Sequence, residues 1–347
     1  MPCRIPPFIV HQSMLDFDAS VQLPWHVSDY SIDKLIWPLV TGQEIIGLID
    51  TGVSQTHVQS GELLGQVIHA ADFTNSQYGP YDANGHGSWC AGAMVAKSFG
   101  IAKNCAKVVS AKALGDDGSG SDQSIVAAIK WCVDAGAKLL NLSLGSEFPS
   151  PSINGILKEM AQQGVFAVCA AGNSSGPVEQ PAANPFVLAD SAITRERTLA
   201  NFSCYGAEVD VCGPGVQMTS LSRGGGYAVL SGTSMSSPWI TAILACKRAY
   251  DVQKGVSPPN SIDQWTAWLT TICDDLGVAG RDAKFGMGVP NAAKFAAVTP
   301  PPVVQPPASP PTPAVPKDSI GIAVTTDGTN WFRVPPGTKL VPLKVAA

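Results

Sequence analysis

Residues 124–145 read SIVAAIKWCVDAGAKLLNLSLG. In the first half, apolar residues recur at helical spacing (Ile125, Ala128, Ile129, Cys132), and Gly136 supplies a stop. In the second half, AKLLNLSLG (137–145) is a short apolar run of the kind that fills a strand buried on both faces. The same alternation recurs on either side. EIIGLID (44–50), AKVVSAKAL (106–114) and GVFAVCAAG (164–172) read as buried strands. SINGILKEMAQQG (152–164) and SMSSPWITAILACKRAY (234–250) read as helices. Strands alternating with helices predict an α/β fold, with a mostly parallel sheet and helices on its faces. Active sites on such sheets lie at the carboxyl ends of the strands.

The chain has 347 residues, 45% hydrophobic and 14% charged, enough for one large core or two domains. A net charge of −5 gives no reason to expect nucleic acid and no basic face for an anionic membrane. No segment offers the roughly 20 apolar residues of a membrane span. The start, MPCRIPPFIVHQSMLDFD, lacks the pattern of a signal peptide. That start predicts a cytoplasmic location if the chain is complete, and an extracellular one if an export segment has been removed. The nine cysteines are scattered without C-x-x-C pairs, which argues against a zinc module or a dense disulfide framework. Without export, most thiols are expected to be reduced.

Residues 1–20 read as an N-terminal extension and 21–298 as one domain. Residues 299–317 contain TPPPVVQPPASPPTPAVP, an extended polyproline II spacer. Residues 318–347 read as a small β-type tail with a turn at Asp327-Gly328, and the sequence names no partner for it.

Four short stretches carry chemistry. GLIDTGV places Asp50 at the end of a buried strand, where a carboxylate can orient an imidazole. DANGHGSWCAG (82–92) places His86 and Cys90 one helical turn apart. That pair fits a cysteine nucleophile with its base, half a metal site, or a histidine serving another nucleophile. LSGTSMSSPW puts the Ser234 hydroxyl at a helix N-terminus, which favours developing negative charge. AVCAAGNSSG ends a buried strand at Asn173, whose amide can donate to an oxyanion. Each stretch also has a bland reading, as a turn-capping Asp, a structural His, an N-cap Ser or a turn-forming Asn.

Together, in the order Asp, His, Asn, Ser, they resemble the subtilisin-like serine proteases, and within them the proteinase K-like branch. DTGV, NGHGSWCAG, LGDDGSGS, LNLSLG, AAGN, FSCYG, GPG, SGTSMSSP and GMGVPNAA carry the resemblance from about 42 to 298. It implies a three-layer fold and a serine endopeptidase acting on polypeptides, with no organic cofactor. Ser234 would be the nucleophile and His86 the general base, then the general acid. Asp50 would hold the imidazole, and Asn173 would form the oxyanion hole with the Ser234 N–H. Substrate would add as a strand between Gly118-Ser119-Gly120 and Ser143-Leu144-Gly145. Ala170, Ala171 and Gly172 would line the first specificity pocket, with Thr233 beside the nucleophile among the substrate-binding residues.

The chain departs from the family at several points. Ser88 stands for the usual threonine, and Trp239 for the usual histidine. MVAKSFGIAKNCAKVV is too short for the tight calcium loop of subtilisins proper, and Gln59 replaces an acidic ligand there, so that site is expected to be absent. A second family calcium site does match, through the Pro185 and Val187 carbonyls and Asp210. Glu179 aligns with the floor of the first specificity pocket, where a carboxylate would favour Lys or Arg in the substrate. RIPPF (4–8) is similar in kind to the short extensions that cross the active site of cytoplasmic relatives, so residues 1–20 are expected to occlude the cleft. Two rivals remain: a catalytically silent binding protein on this fold, and a dedicated maturation protease or acyl-transferase, which passes through the same acyl-enzyme. A complete serine constellation claims His86, leaving Cys90 as a buried thiol one turn behind it.

Overall fold

A computed structural model of the protein describes residues 3–14 and 22–297. The spacer and tail expected at 299–347 lie outside the described residues. In chain order the strands are β1 (Cys3–Arg4), β2 (Ile9–Met14), β3 (Glu44–Asp50), β4 (Val67–Asp72), β5 (Ala106–Lys112), β6 (Ser119–Gly120) and β7 (Leu139–Leu142). They continue with β8 (Phe166–Ala170), β9 (Leu188–Ile193), β10 (Val209–Pro214), β11 (Met218–Leu221), β12 (Tyr227–Ser231), β13 (Cys273–Asp274) and β14 (Val289–Pro290). The helices are α1 (Trp25–Ser28), α2 (Gln55–Ser60), α3 (His86–Val95), α4 (Asp122–Asp134), α5 (Pro151–Gln162), α6 (Thr233–Gln253), α7 (Ile262–Ile272) and α8 (Ala292–Ala297). Among the described residues no helix is long and apolar enough to cross a membrane.

Seven strands form one parallel sheet in the order β10-β9-β8-β7-β3-β5-β4. Side chains alternate between its faces, so both faces need cover. Val108 points into one core and Val109 into the other. Helices α3 and α6 cover the first face, with Trp89, Met94, Trp239 and Trp265 in its core. Helices α4 and α5 cover the second, with Ile125, Ile129, Ile153 and Leu157. The predicted α/β class and three layers are therefore present.

Serine caps start the two helices of the second face. Ser121 caps α4 by accepting from Ser124 N, while Ser121 N donates to Ser124 Oγ. Ser150 caps α5, with Pro151 in its first turn. The four strands between 188 and 231 are a finding of the structure. LADSAI and VDVCGP carry Asp190, Ser191 and Asp210 inside them, which breaks the apolar run that marks a buried strand.

Helix α6 contains Pro238 in its second turn. Proline has no N–H to return to the carbonyl four residues back, and that carbonyl belongs to Ser234. It is met from outside the helix instead, by Ser143 Oγ at 3.1 Å and Cys90 Sγ at 3.6 Å. Trp239 is fully buried, and its Nε1 donates to His26 O at 3.0 Å. The local packing thus closes around the Trp239 indole.

Candidate active site

Asp50 ends β3 and His86 begins α3, and both are buried. The Asp50 carboxylate receives His86 Nδ1 at 2.8 and 3.0 Å and Thr51 N at 2.7 Å. The start of α3 is fixed by Asp82. Its Oδ1 accepts from Thr51 Oγ1, Asn84 N and Gly85 N, and its Oδ2 from Ser88 N and Ser88 Oγ. Ser88 thus supplies the hydroxyl expected of a threonine. Gly87 admits no side chain, because a Cβ there would lie 2.2 Å from Gly52 O. That contact brings the helix start against the end of β3 and His86 within reach of Asp50.

Ser234 is buried in the first turn of α6, where a helix leaves its N–H groups free. Its Oγ donates to Ser143 O at 3.4 Å, while His86 Nε2 is buried with no hydrogen-bond partner. Asn173 is oriented by Thr233: its Oδ1 accepts from Thr233 N and Thr233 Oγ1, each at 2.8 Å. The Nδ2 donor is thereby aimed into the cleft. Thr233 is fully buried, and both its N and its Oγ1 are bonded to the Asn173 amide oxygen.

The cleft is filled by the N-terminal segment. Arg4 pairs with Gly145 in both directions, N to O at 3.0 Å and O to N at 2.8 Å. Ile5 N donates to Gly118 O at 3.0 Å, and β1 pairs antiparallel with β6, Cys3 with Gly120 and Arg4 with Ser119. Residues 3–5 therefore form a strand between the two segments predicted to hold substrate. Beyond them, Asn173 Nδ2 donates to Pro7 O at 2.9 Å, and the Phe8 ring lies 5.4 Å from that of His86. Chain 9–14 then leaves as β2, paired antiparallel with β12. Of the predicted extension, residues 1–2 and 15–20 lie outside the described residues.

Glu179 is partly buried, with its carboxyl against Gly172 and Gly145. A Cβ on Gly172 would meet Glu179 Cδ at 2.5 Å, and one on Gly145 would meet Oε2 at 2.8 Å. Ser174 Oγ donates to Oε1 at 3.0 Å, and Glu179 N donates to Ala171 O at 2.8 Å. Ala170, Ala171, Ser143 and Leu144 are buried beside this pocket. The sequence did not single out Cys204, whose Sγ is 3.1 Å from Ser174 Oγ on the same wall.

Cys90 Sγ sits 3.9 Å from His86 Nδ1, under the site as expected, and burial raises its pKa well above the ordinary thiol value. Asp50, His86 and Cys90 could together hold a metal, since their ligand atoms lie within 4.8 Å of one another. With its proton donated to Asp50, Nδ1 has no lone pair to offer such an ion. All nine cysteines are buried and unbridged. The residues of the expected calcium site do not fit an ion as they stand. Asp210 Oδ2 accepts from Ala189 N at 2.9 Å, and its Oδ1 is taken by Arg281 Nη2 at 3.0 Å. Pro185 is exposed and Val187 buried.

Comparison with known proteins agrees with this geometry. Residues 42–288 match the profile of the subtilase family, Peptidase_S8. The chain is 38% identical over 212 residues to a thermophilic serine proteinase of Bacillus sp. strain AK1, covering 59% of this chain and 52% of that protein. It is 33% identical over 245 residues to an alkaline protease of Alkalihalobacillus alcalophilus, covering 67% and 63%. It is 33% identical over 230 residues to Subtilisin Savinase of Lederbergia lenta, covering 64% and 83%. The chain thus spans between half and two-thirds of the length of the first two relatives. With the family profile running across the strands and helices that carry Asp50, His86, Asn173 and Ser234, the chain belongs to the subtilase family.

Proposed function

We propose that this protein is a serine endopeptidase whose cleft is held by its own residues 3–8. One observation carries the reading: a peptide carbonyl, that of Pro7, accepts from the Asn173 amide, and the ring of the next residue, Phe8, lies against that of His86. In a substrate complex, Ser234 Oγ attacks the carbonyl carbon and passes its proton to His86 Nε2. Asn173 Nδ2 and Ser234 N receive the oxyanion. Collapse expels the amine, which takes the proton from Nε2, and water repeats the sequence on the acyl-enzyme. Asp50 keeps Nδ1 protonated throughout.

The register of the N-terminal strand gives the occlusion a chemical basis. With Arg4 opposite Gly145, residue 6 stands opposite Ser143. An ordinary residue there would donate its N–H to Ser143 O. Pro6 has none, and Ser143 O accepts from Ser234 Oγ instead. The prolines thus leave the nucleophile bonded away from His86. Labelling with a serine-directed fluorophosphonate tests the whole reading. The chain trimmed of residues 1–20 is expected to label faster than the full chain, and Ser234→Ala is expected not to label. Trimming without gain would remove the occlusion, and absence of all labelling would favour a silent binding protein.

The Glu179 carboxylate supports a preference for Lys or Arg before the scissile bond. On matched peptides, Lys is expected to exceed Phe in kcat/KM, and Glu179→Gln to reverse much of that excess, about 10-fold for one partly buried charge pair. Equal rates for Lys and Phe would end this assignment. The match of Pro185, Val187 and Asp210 to a calcium set is the weaker reading, because a guanidinium already meets the carboxylate.

A further inference from the structure

Parallel pairing between β9 and β10 slips by one residue between Val209 and Val211, and the residue left over is Asp210. The bulge turns its carboxylate back onto β9, where Ala189 N donates to Oδ2. Arg281 meets the other oxygen. The same guanidinium donates from Nη2 to Ala207 O at 3.1 Å and from Nε to Val209 O at 3.2 Å. One side chain therefore serves a carboxylate and two carbonyls, an all-oxygen set of the type that suits a hard divalent cation.

The guanidinium is brought there by an anchored loop. Pairing of β13 with β14 closes residues 275–288 into a loop. Within it, Asp282 and Gly286 exchange backbone bonds at 3.1 and 2.9 Å, and Asp282 accepts from Lys284 N, Phe285 N and Val278 N. The loop is tied to the sheet by Met287 N to Asp210 O, Gly206 N to Ala283 O, and Ser191 Oγ to Lys284 O. Gly286 has φ +56° and lies so close to Asp210 that a Cβ would stand 2.2 Å from its carbonyl carbon. Only glycine lets the loop approach the bulge closely enough.

We infer that Arg281 is a tethered cation standing in the place of a bound divalent ion, and that it makes the segment from the specificity-pocket loop into β9 independent of metal. Two physical facts favour the guanidinium over an ion here. It is permanently charged and presents a fork that matches a carboxylate and carbonyls together. Its charge already meets the one carboxylate of the set, so a dication entering beside it would face repulsion with only neutral carbonyls to hold it. The consequence reaches the pocket because Glu179 and Val187 lie on the stretch that leads into Ala189.

The test follows the melting temperature of the full chain in chelator and in millimolar calcium, with terbium luminescence as a second readout of ion binding. The wild type is expected to melt at the same temperature in both and to give no luminescence that depends on Asp210. Arg281→Ala is expected to melt lower by about 3–6 °C, because it leaves a largely buried carboxylate unpaired. Calcium is expected to restore part of that loss, with terbium binding gained. Arg281→Lys keeps the charge without the fork and is expected to fall between the two, which keeps the test readable if Arg281→Ala does not fold. A calcium-dependent rise in the wild type that Asp210→Asn abolishes would overturn the inference. So would an Arg281→Ala chain as stable as the wild type.

Discussion

The two halves of the cleft are built differently. The Asp50–His86 half is closed and complete: a buried carboxylate holds Nδ1 through two short contacts, and Asp82 ties down the helix that carries the ring. The Ser234–Asn173 half depends on what occupies it. Asn173 is oriented but spends its donor on Pro7 O, and Ser234 Oγ faces Ser143 O while Nε2 waits without a partner. The imidazole is thus fixed by the fold, whereas Ser234 Oγ bonds the carbonyl that lies opposite residue 6.

The largest break in that contrast comes from Asp50→Asn. It should lower kcat by about 10⁴-fold, the loss known from such triads, with little change in KM, because it leaves the geometry and reverses the tautomer. On the other half, Asn173→Leu should lower kcat by about 10²–10³-fold, the loss known for an oxyanion donor in a subtilisin and not specific to this chain. Steady-state kinetics on one peptide separate the two, and an Asn173 effect confined to KM would show that its amide binds rather than stabilises. Pro6→Ala restores an N–H opposite Ser143. It should allow cleavage after Pro7, read by mass spectrometry as a new N-terminus at Phe8, and Ser234→Ala added to it should keep the chain intact. An uncut Pro6→Ala chain would mean that the proline does not govern the serine. The smallest effect is expected at Cys90, which touches both halves, through His86 Nδ1 and Ser234 O. Cys90→Ala should keep kcat within about 3-fold, since its contacts are long and weak. It should also remove part of the enzyme's sensitivity to a mercurial, measured as residual activity after titration.

What the sequence revealed follows from what buries each element. β3, β5, β7 and β8 are covered on both faces, so their apolar runs are continuous and readable. Helices α4, α5 and α6 declare themselves by spacing, and serine caps start α4 and α5. The bounds moved where a local rule yielded to the cleft: AKLLNLSLG contributes only Leu139–Leu142 to the sheet, because Ser143–Gly145 leave it to pair with the N-terminal segment. The candidate site residues could be picked out because each stands at or just beyond a strand end, or at a helix start, where the chain must turn. Long-range arrangements were not legible. Arg281 reaches Asp210 across 71 positions, and no periodicity records that approach. β1 and β2 are too short and too polar to read as strands; they become strands only by lying along β6 and β12. Thr233 could have been placed by its position one before the nucleophile, but its bonds to Asn173 depend on where β8 ends.

The strand that fills the cleft is part of the same molecule, and under the proposed occlusion this fixes its kinetics. Return of residues 3–8 to the cleft is a unimolecular event, with an effective concentration of the order of millimolar for a short tether. Dilution cannot release it, and a competing peptide must outbid that local concentration. A single cut in the segment beyond Phe8 turns the same strand into a free ligand at the concentration of the enzyme itself. Release then becomes steeper as the protein is diluted, so one cleavage converts a concentration-independent off state into a concentration-dependent one.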